Sequence, residues 1–425
     1  MHLIIFEDSY YMNLLPLTYL RAAFELRLGA SSLLEKITGW WNKRGEVFLL
    51  TRDYLTEVIE KRYPEFNVNI GKLGLDEELL LVNGTLLLDS ETIHRIESLA
   101  KNRQPLALTT NNRIAAAYLP RKSLTRLEYS RLIDLNHLKN AVRVDAAHKF
   151  RFLTNLWEIP KLNRRLLERE LPEMVSQRGE GDIDPHAVIY GDRVYVGEGS
   201  EVEAGVVIDS RSGPVYVGRD CRVEAHSRIS GPAYVGDGSI LFSALIREGC
   251  SIGRVCRIGG EVEESVLHGY VNKRHYGFLG HSYLAEWVNL GAGTTNSNLK
   301  NTYGTIRMSV GGRRVDTGEI FLGCFIADHV KTSIGTLIYG GRRVGVASHL
   351  YGIVREDVPS FTHYAESLGQ GKIELHLESV LKTARRVMNR RGVSLSPEEE
   401  RLMEYVYKLT EKERLEAKVS GGRIR

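Results

Sequence analysis

Between about residues 183 and 358 the apolar side chains of this chain recur every six positions, a spacing that few folds can use. Val217, Val223, Ile229 and Val235 keep the step, as do Ile240, Ile246, Ile252 and Ile258, and later Phe278, Leu284 and Leu290. Tyr-Val-Gly occurs at 195–197, 216–218 and 234–236, and the last two copies lie eighteen residues, or three hexads, apart. An α-helix would show spacings of three and four. A β-sandwich would show longer strands with hairpin signals. A short strand followed by a tight turn instead puts one aliphatic residue per six inside a prism, and stacked coils share one core. Glycine and aspartate at the corners supply the turn conformations. The pattern therefore predicts a parallel β-helix of hexapeptide repeats.

The period slips near 191–195, 210–214 and 261–268, and residues 308–325, with Gly311-Gly312-Arg313-Arg314, break it outright. That break predicts an inserted loop or hairpin. Upstream, apolar runs at 3–6, 47–50, 79–82 and 106–108 alternate with helix-like stretches such as 31–37 and 54–62. This alternation predicts an α/β domain with a parallel sheet. A further helical stretch covers 155–170, and the composition changes at Gln177-Arg178-Gly179-Glu180-Gly181-Asp182. Downstream, Ile373, Leu377, Val380, Leu381, Ala384, Val387 and Met388 form a helical stripe, and Ser396-Pro397-Glu398-Glu399 reads as the cap of a second helix. The expected domains are 1–178, 179–365 and a helical extension at 366–425.

Net charge is only +4, from 57 basic and 53 acidic residues, which argues against general nucleic-acid binding. Cys221, Cys250, Cys256 and Cys324 include no C-x-x-C pair, so free thiols in a reducing cytoplasm are expected rather than a zinc site. The first eight residues read as a strand rather than a signal peptide. No run of eighteen apolar residues exists, so a soluble cytoplasmic protein is expected, with no membrane partner.

Polar side chains crowd residues 270–301, from Tyr270-Val271-Asn272-Lys273-Arg274-His275 through His281-Ser282-Tyr283 to Asn298-Leu299-Lys300-Asn301. His275 and His281 each precede an expected inward residue, Phe278 or Leu284, by three. Acyl transfer from a thioester to an amine needs a base for the amine proton and a donor for the oxyanion. A neutral histidine suits the first role near pH 7. Either histidine could instead hydrogen-bond at a subunit interface.

Gly280-His281-Ser282-Tyr283 followed by Asn289-Leu290-Gly291-Ala292-Gly293-Thr294 resembles the acetyltransferase half of bifunctional enzymes that make UDP-N-acetylglucosamine. Asn272 through Tyr283, with Ser297-Asn298-Leu299-Lys300-Asn301, is closer to an alternative branch: a sugar-1-phosphate nucleotidyltransferase fused to a left-handed β-helix. The resemblance implies a left-handed helix, a homotrimer, and acetyl-CoA bound between subunits. It implies His281 as the base, with His275 a second candidate because the family histidine stands one residue further from the Ser/Thr-Tyr pair. It places Tyr283, Asn289 and Asn298 around the sugar phosphate, with Lys273 and Lys300 from the same segment. Ala292 would lie beside the acyl donor. Arg313, Arg314, Lys331, Arg342 and Arg343 are further candidates for the phosphates of coenzyme A.

The first domain would then be Rossmann-like and take a sugar-1-phosphate and a nucleoside triphosphate. In place of the family's glycine loop stands Glu7-Asp8-Ser9-Tyr10-Tyr11-Met12-Asn13, leaving Arg21 and Arg27 as phosphate partners. Asn83-Gly84 and Asn163 match the nucleotide and Mg2+ segments, with Asp8 a possible carboxylate ligand, since a divalent cation favours at least one carboxylate. Two other readings stay open. One is a non-catalytic scaffold with a degenerate first domain. The other is a carbonic anhydrase with histidine-bound zinc.

Overall fold

The computed structural model describes residues 1–42, 44–69, 78–102, 104–121, 143–145, 149–177 and 179–421. They divide into two compact units, one of Met1–Leu26 with Ser31–Leu156 and one of Arg27–Ala30 with Trp157–Arg425.

The first unit is a seven-stranded sheet with flanking helices Leu33–Trp41, Thr56–Arg62 and Ser90–Asn102. Strand His2–Phe6 is central and runs parallel to both Val47–Leu50 and Leu79–Asn83. The sheet is mixed rather than parallel throughout. Strand Arg113–Leu119 lies antiparallel between Leu79–Asn83 and Leu106–Thr110. Its sequence, Arg-Ile-Ala-Ala-Ala-Tyr-Leu, carries alanines that favour helix in isolation, yet all seven residues are buried. Burial on both faces overrides that preference.

The second unit is the β-helix. One wall stacks Val196, Val217, Val235, Ile252, Leu267, Leu284, Ile326 and Val344 in register. A second stacks Ile208, Ile229, Ile246, Val262 and Leu279. The third runs Val202, Val223, Leu241, Ile258 and then Lys273. Apart from Lys273, these residues form one continuous buried core. The hexad phase is off by one at two positions. Leu241 and Leu279 point inward, whereas Ile240 and Phe278 are only half-buried. Strands Ile240–Ile246 and Arg257–Glu263 pass a corner in one piece, so those sides are shorter than six residues.

Corners tolerate little extra bulk. A Cβ on Gly253 would lie 1.9 Å from the His268 carbonyl oxygen. Gly253→Ala is therefore expected to destabilise this unit by about 1–3 kcal/mol, the usual range for overpacking. Denaturant titration would show it, and an unchanged midpoint would refute the packing argument.

The break in the hexads is a hairpin, Arg307–Val310 against Arg313–Asp316, turning on Gly311 and Gly312 at φ 54° and 78°. Helix Ile159–Met174 belongs to this unit, with Leu167 and Leu171 packed beside Ala30, Tyr216 and Tyr234. The tyrosines of the three Tyr-Val-Gly copies stack face to face at 4.8 and 5.2 Å. At the C-terminal end, Ile373 sits in strand Gly371–Glu374 rather than in the helical stripe, because that strand pairs with Thr362–Ala365. Helices Leu377–Asn389 and Pro397–Leu409 follow, the latter with the Ser396–Glu399 capping box. All four cysteines are buried free thiols. Among the described residues no helix is long and apolar enough to cross a membrane.

Candidate active site around His281

His281 sits at a β-helix corner in the left-handed region, φ 51°. The corner is pinned on both sides: its N–H donates to the Glu263 carbonyl at 3.0 Å and its carbonyl accepts from Gly323 at 2.9 Å. The ring has partners of its own. The Asn298 amide nitrogen lies 3.1 Å from Nδ1. Glu264 Oε2 lies 3.8 Å from Nε2. The Phe321 ring stacks on the imidazole with centroids 5.5 Å apart. Glu264 is itself held by Arg164 of helix Ile159–Met174, at 2.5 Å.

His281, Glu264 and Phe321 open onto a cavity of about 370 Å3, also lined by Trp157, Pro160, Lys161, Gly318, Glu319 and Ile320. Burial lowers the His281 pKa below the usual 6.5, with Glu264 and Glu319 opposing the shift. The imidazole is thus neutral near pH 7 and able to accept a proton.

The other expected members of the cluster divide sharply. Asn298 meets His281, as just described. His275 does not: with Leu279 rather than Phe278 inward, the two histidines lose their shared phase, and His275 is exposed. Lys273 is a correction. It occupies a core position, 2% exposed, and its ammonium donates to the carbonyls of Gly259 at 2.6 Å and His275 at 3.2 Å. Burial pushes its pKa down to about 8. Tyr283 is likewise fully buried, its hydroxyl accepting from Arg27 N–H at 3.2 Å and meeting His268 Nδ1 at 2.6 Å, so it offers no hydroxyl to a substrate.

Asn289 is half-buried in an asparagine ladder, its Oδ1 accepting from Asn272 at 2.6 Å. The Ala292 carbonyl accepts from Gly335 N–H at 2.8 Å. Lys300 is exposed, as are Arg313 and Arg314 on the hairpin. Among the further coenzyme A candidates, Lys331 is half-buried with its ammonium on the carbonyls of Trp287 and His329, and Arg343 pairs with Asp357 at 2.8 Å. Glu264, Glu319, Phe321, Trp157 and Arg164 were not singled out from the sequence. The signals present were the phase slip at 261–268, which contains Glu264, and the break at 308–325, which contains Glu319 and Phe321.

In the first unit, Asp8 and Asn83 do come together at 2.7 Å. They do not suit a cation. Both Asp8 oxygens accept from Arg113, at 2.6 and 3.1 Å, and that guanidinium lies between the rings of Tyr10 and Phe152. Next to it, Glu7 clamps Arg52 through both its oxygens, at 3.1 and 3.0 Å. A carboxylate neutralised by a buried guanidinium has little left for Mg2+. Asn163 belongs to the second unit and is engaged at both ends, accepting from Gly29 N–H at 2.7 Å and donating to the Gly249 carbonyl at 2.8 Å.

The metal assignment of Asp8 and Asn163 is thus corrected: both side chains are committed to protein partners. Arg21 is fully buried, 1% exposed. Arg27 belongs to the second unit, where it donates to the Ala30 carbonyl and covers the Tyr234 ring, so its phosphate role is corrected too. Gly84 is a packing glycine, since a Cβ there would lie 2.7 Å from Phe24.

Residues 3–178 match the family described as sugar nucleotidyl transferase. A bifunctional sugar-1-phosphate nucleotidylyltransferase/acetyltransferase of Sulfurisphaera tokodaii is 28% identical over 48% of this chain and 45% of its own length. The bifunctional protein GlmU of Enterococcus faecalis is 27% identical over 33% of this chain and 35% of its own. The chain thus spans less than half the length of these relatives. Among solved structures, a Francisella novicida UDP-N-acetylglucosamine acyltransferase overlaps 57% of this chain and 83% of its own at 19% identity and a TM-score of 0.27.

Proposed function

We propose, on the premise that residues 3–178 fall in the sugar nucleotidyl transferase family, that this protein is a bifunctional transferase of nucleotide-sugar synthesis. Its β-helix would transfer an acetyl group from acetyl-CoA to the amine of an amino-sugar-1-phosphate. The observation that carries this reading is His281, neutral, oriented and open to a cavity. In the reaction the free amine attacks the thioester carbonyl carbon, the C–N bond forms, and the C–S bond breaks. The amine proton passes to Nε2 and then to the departing thiolate. This needs Nδ1 to carry the other proton. A half-turn of the Asn298 amide presents its oxygen to Nδ1–H and leaves the Nε2 lone pair toward the cavity. A homotrimer, with coenzyme A between subunits, accords with the resemblance of the 280–294 segment. A cytoplasmic location accords with the buried free thiols.

The pH dependence has a definite sign. The base works only when neutral, so activity is present above the His281 pKa and falls as pH drops through it. Because that pKa is lowered, the acid limb of kcat/KM is expected below 6.5. Glu264→Gln removes a charge that favours the imidazolium, so the limb should move further down. A limb that moves up in this variant would refute the assignment.

For the first unit the leading reading is transfer of a uridylyl or thymidylyl group to a sugar-1-phosphate, supported by the family match. One observation favours a non-catalytic unit instead: Glu7 and Asp8 are both paired with buried arginines. Pyrophosphate release from UTP or dTTP over a panel of sugar-1-phosphates separates the two, and release with any sugar selects the first.

A further inference from the structure

The cavity beside His281 has two chemically opposite walls. One is the first turn of helix Ile159–Met174, contributing Pro160 and Lys161, with Trp157 just before it. The helix dipole is positive at this end, and Lys161 adds a full charge to it. The other wall holds the carboxylates Glu264 and Glu319 around His281. Lys161 and Glu319 meet at 3.7 Å, with side chains 59% and 31% exposed. Such a pair contributes little to stability. It is readily opened by a ligand that supplies both charges. Phe321 and Trp157 add aromatic faces on which the apolar face of a sugar ring can rest.

We propose that Lys161 and Glu319 recognise the acceptor as a zwitterion, Lys161 taking its phosphate and Glu319, with Glu264, its ammonium, which gives up one proton to water before the free amine attacks. The substrate exchanges its own two charges for the pair in the cavity wall. This inference rests on the acetyltransferase reading of the same site and adds two binding residues to it. Neither residue is a catalytic group. One lies on the helix that precedes the hexads, the other just beyond the hairpin.

The test uses the full chain with three probes: glucosamine-1-phosphate, glucosamine and glucose-1-phosphate. Calorimetric binding is read for all three, and KM and kcat for thiol release for the two amines. Lys161→Met is expected to weaken glucosamine-1-phosphate and glucose-1-phosphate roughly tenfold, as for one lost charge-assisted hydrogen bond, and to leave glucosamine unchanged. Glu319→Gln is expected to weaken the two amines by a similar factor and to spare glucose-1-phosphate. Both variants should change KM rather than kcat.

Equal effects on all three probes, or no effect on any, would overturn the proposal, as would a wild-type protein that binds no amino-sugar phosphate. If the wild type binds glucosamine-1-phosphate with this pattern but releases no thiol, the recognition stands and the acetylation reading fails.

Discussion

Replacing His281 with alanine is expected to slow thiol release from acetyl-CoA by about 10²–10⁴-fold, the usual contribution of a general base. His275→Ala should leave the rate near that of the wild type. The difference follows from the corner geometry. His281 is fixed by backbone hydrogen bonds to Glu263 and Gly323, stacked on Phe321, and flanked by Asn298 and Glu264. His275 is exposed and its carbonyl serves Lys273. The loss should appear in kcat and in kcat/KM together, because proton acceptance belongs to the transition state rather than to substrate binding. His281→Ala is not expected to unfold the corner, whose hydrogen bonds are made by backbone. A fully active His281→Ala, or a large loss confined to His275→Ala, would move the base to the other histidine.

The second large effect concerns stability of the first unit. Asp8→Ala is expected to cost about 3–5 kcal/mol, because it leaves a buried guanidinium without its counter-charge. Arg113 is 6% exposed and donates to Asp8, Thr85 and Thr154 between two aromatic rings. Water cannot replace the lost carboxylate there. The double variant Asp8→Ala/Arg113→Met removes both charges and should recover much of the loss. The two compact units need not unfold together, so the transition of the first unit is the one to follow. A single-variant loss under about 1 kcal/mol would place the pair in the class of exposed ion pairs. The same measurement bears on function: if Asp8 must hold Arg113 for the unit to fold, it is a structural acid rather than a metal ligand.

The β-helix was legible because its physics is periodic. One inward aliphatic per side is a requirement that repeats along the chain, and Val217, Val223, Ile229 and Val235 all meet it in the core. The hairpin at Gly311-Gly312 and the cap at Ser396 were legible for a local reason, since each needs only its own few residues. The strand Arg113–Leu119 was not, because its alanines take their conformation from neighbours distant in sequence.

The active-site reading divides along the same line. The sequence by itself marked 270–301 as chemically dense, with two candidate histidines, and its family resemblance pointed to His281 and Asn298, which the fold does bring together. The same segment also offered Lys273 and Tyr283, which the fold buries: Lys273 stands in register with inward Ile258, one residue off the phase of Phe278 and Leu284, and Tyr283 packs its hydroxyl against Arg27 and His268. Only tertiary structure brought Glu264, Arg164, Lys161, Glu319 and Phe321 around the imidazole, from a helix, a phase slip and the segment beyond a hairpin. Repeats along the chain determine which residues can form a core. The charges that surround one ring are set by coils and helices that meet in space, and no local spacing records that meeting.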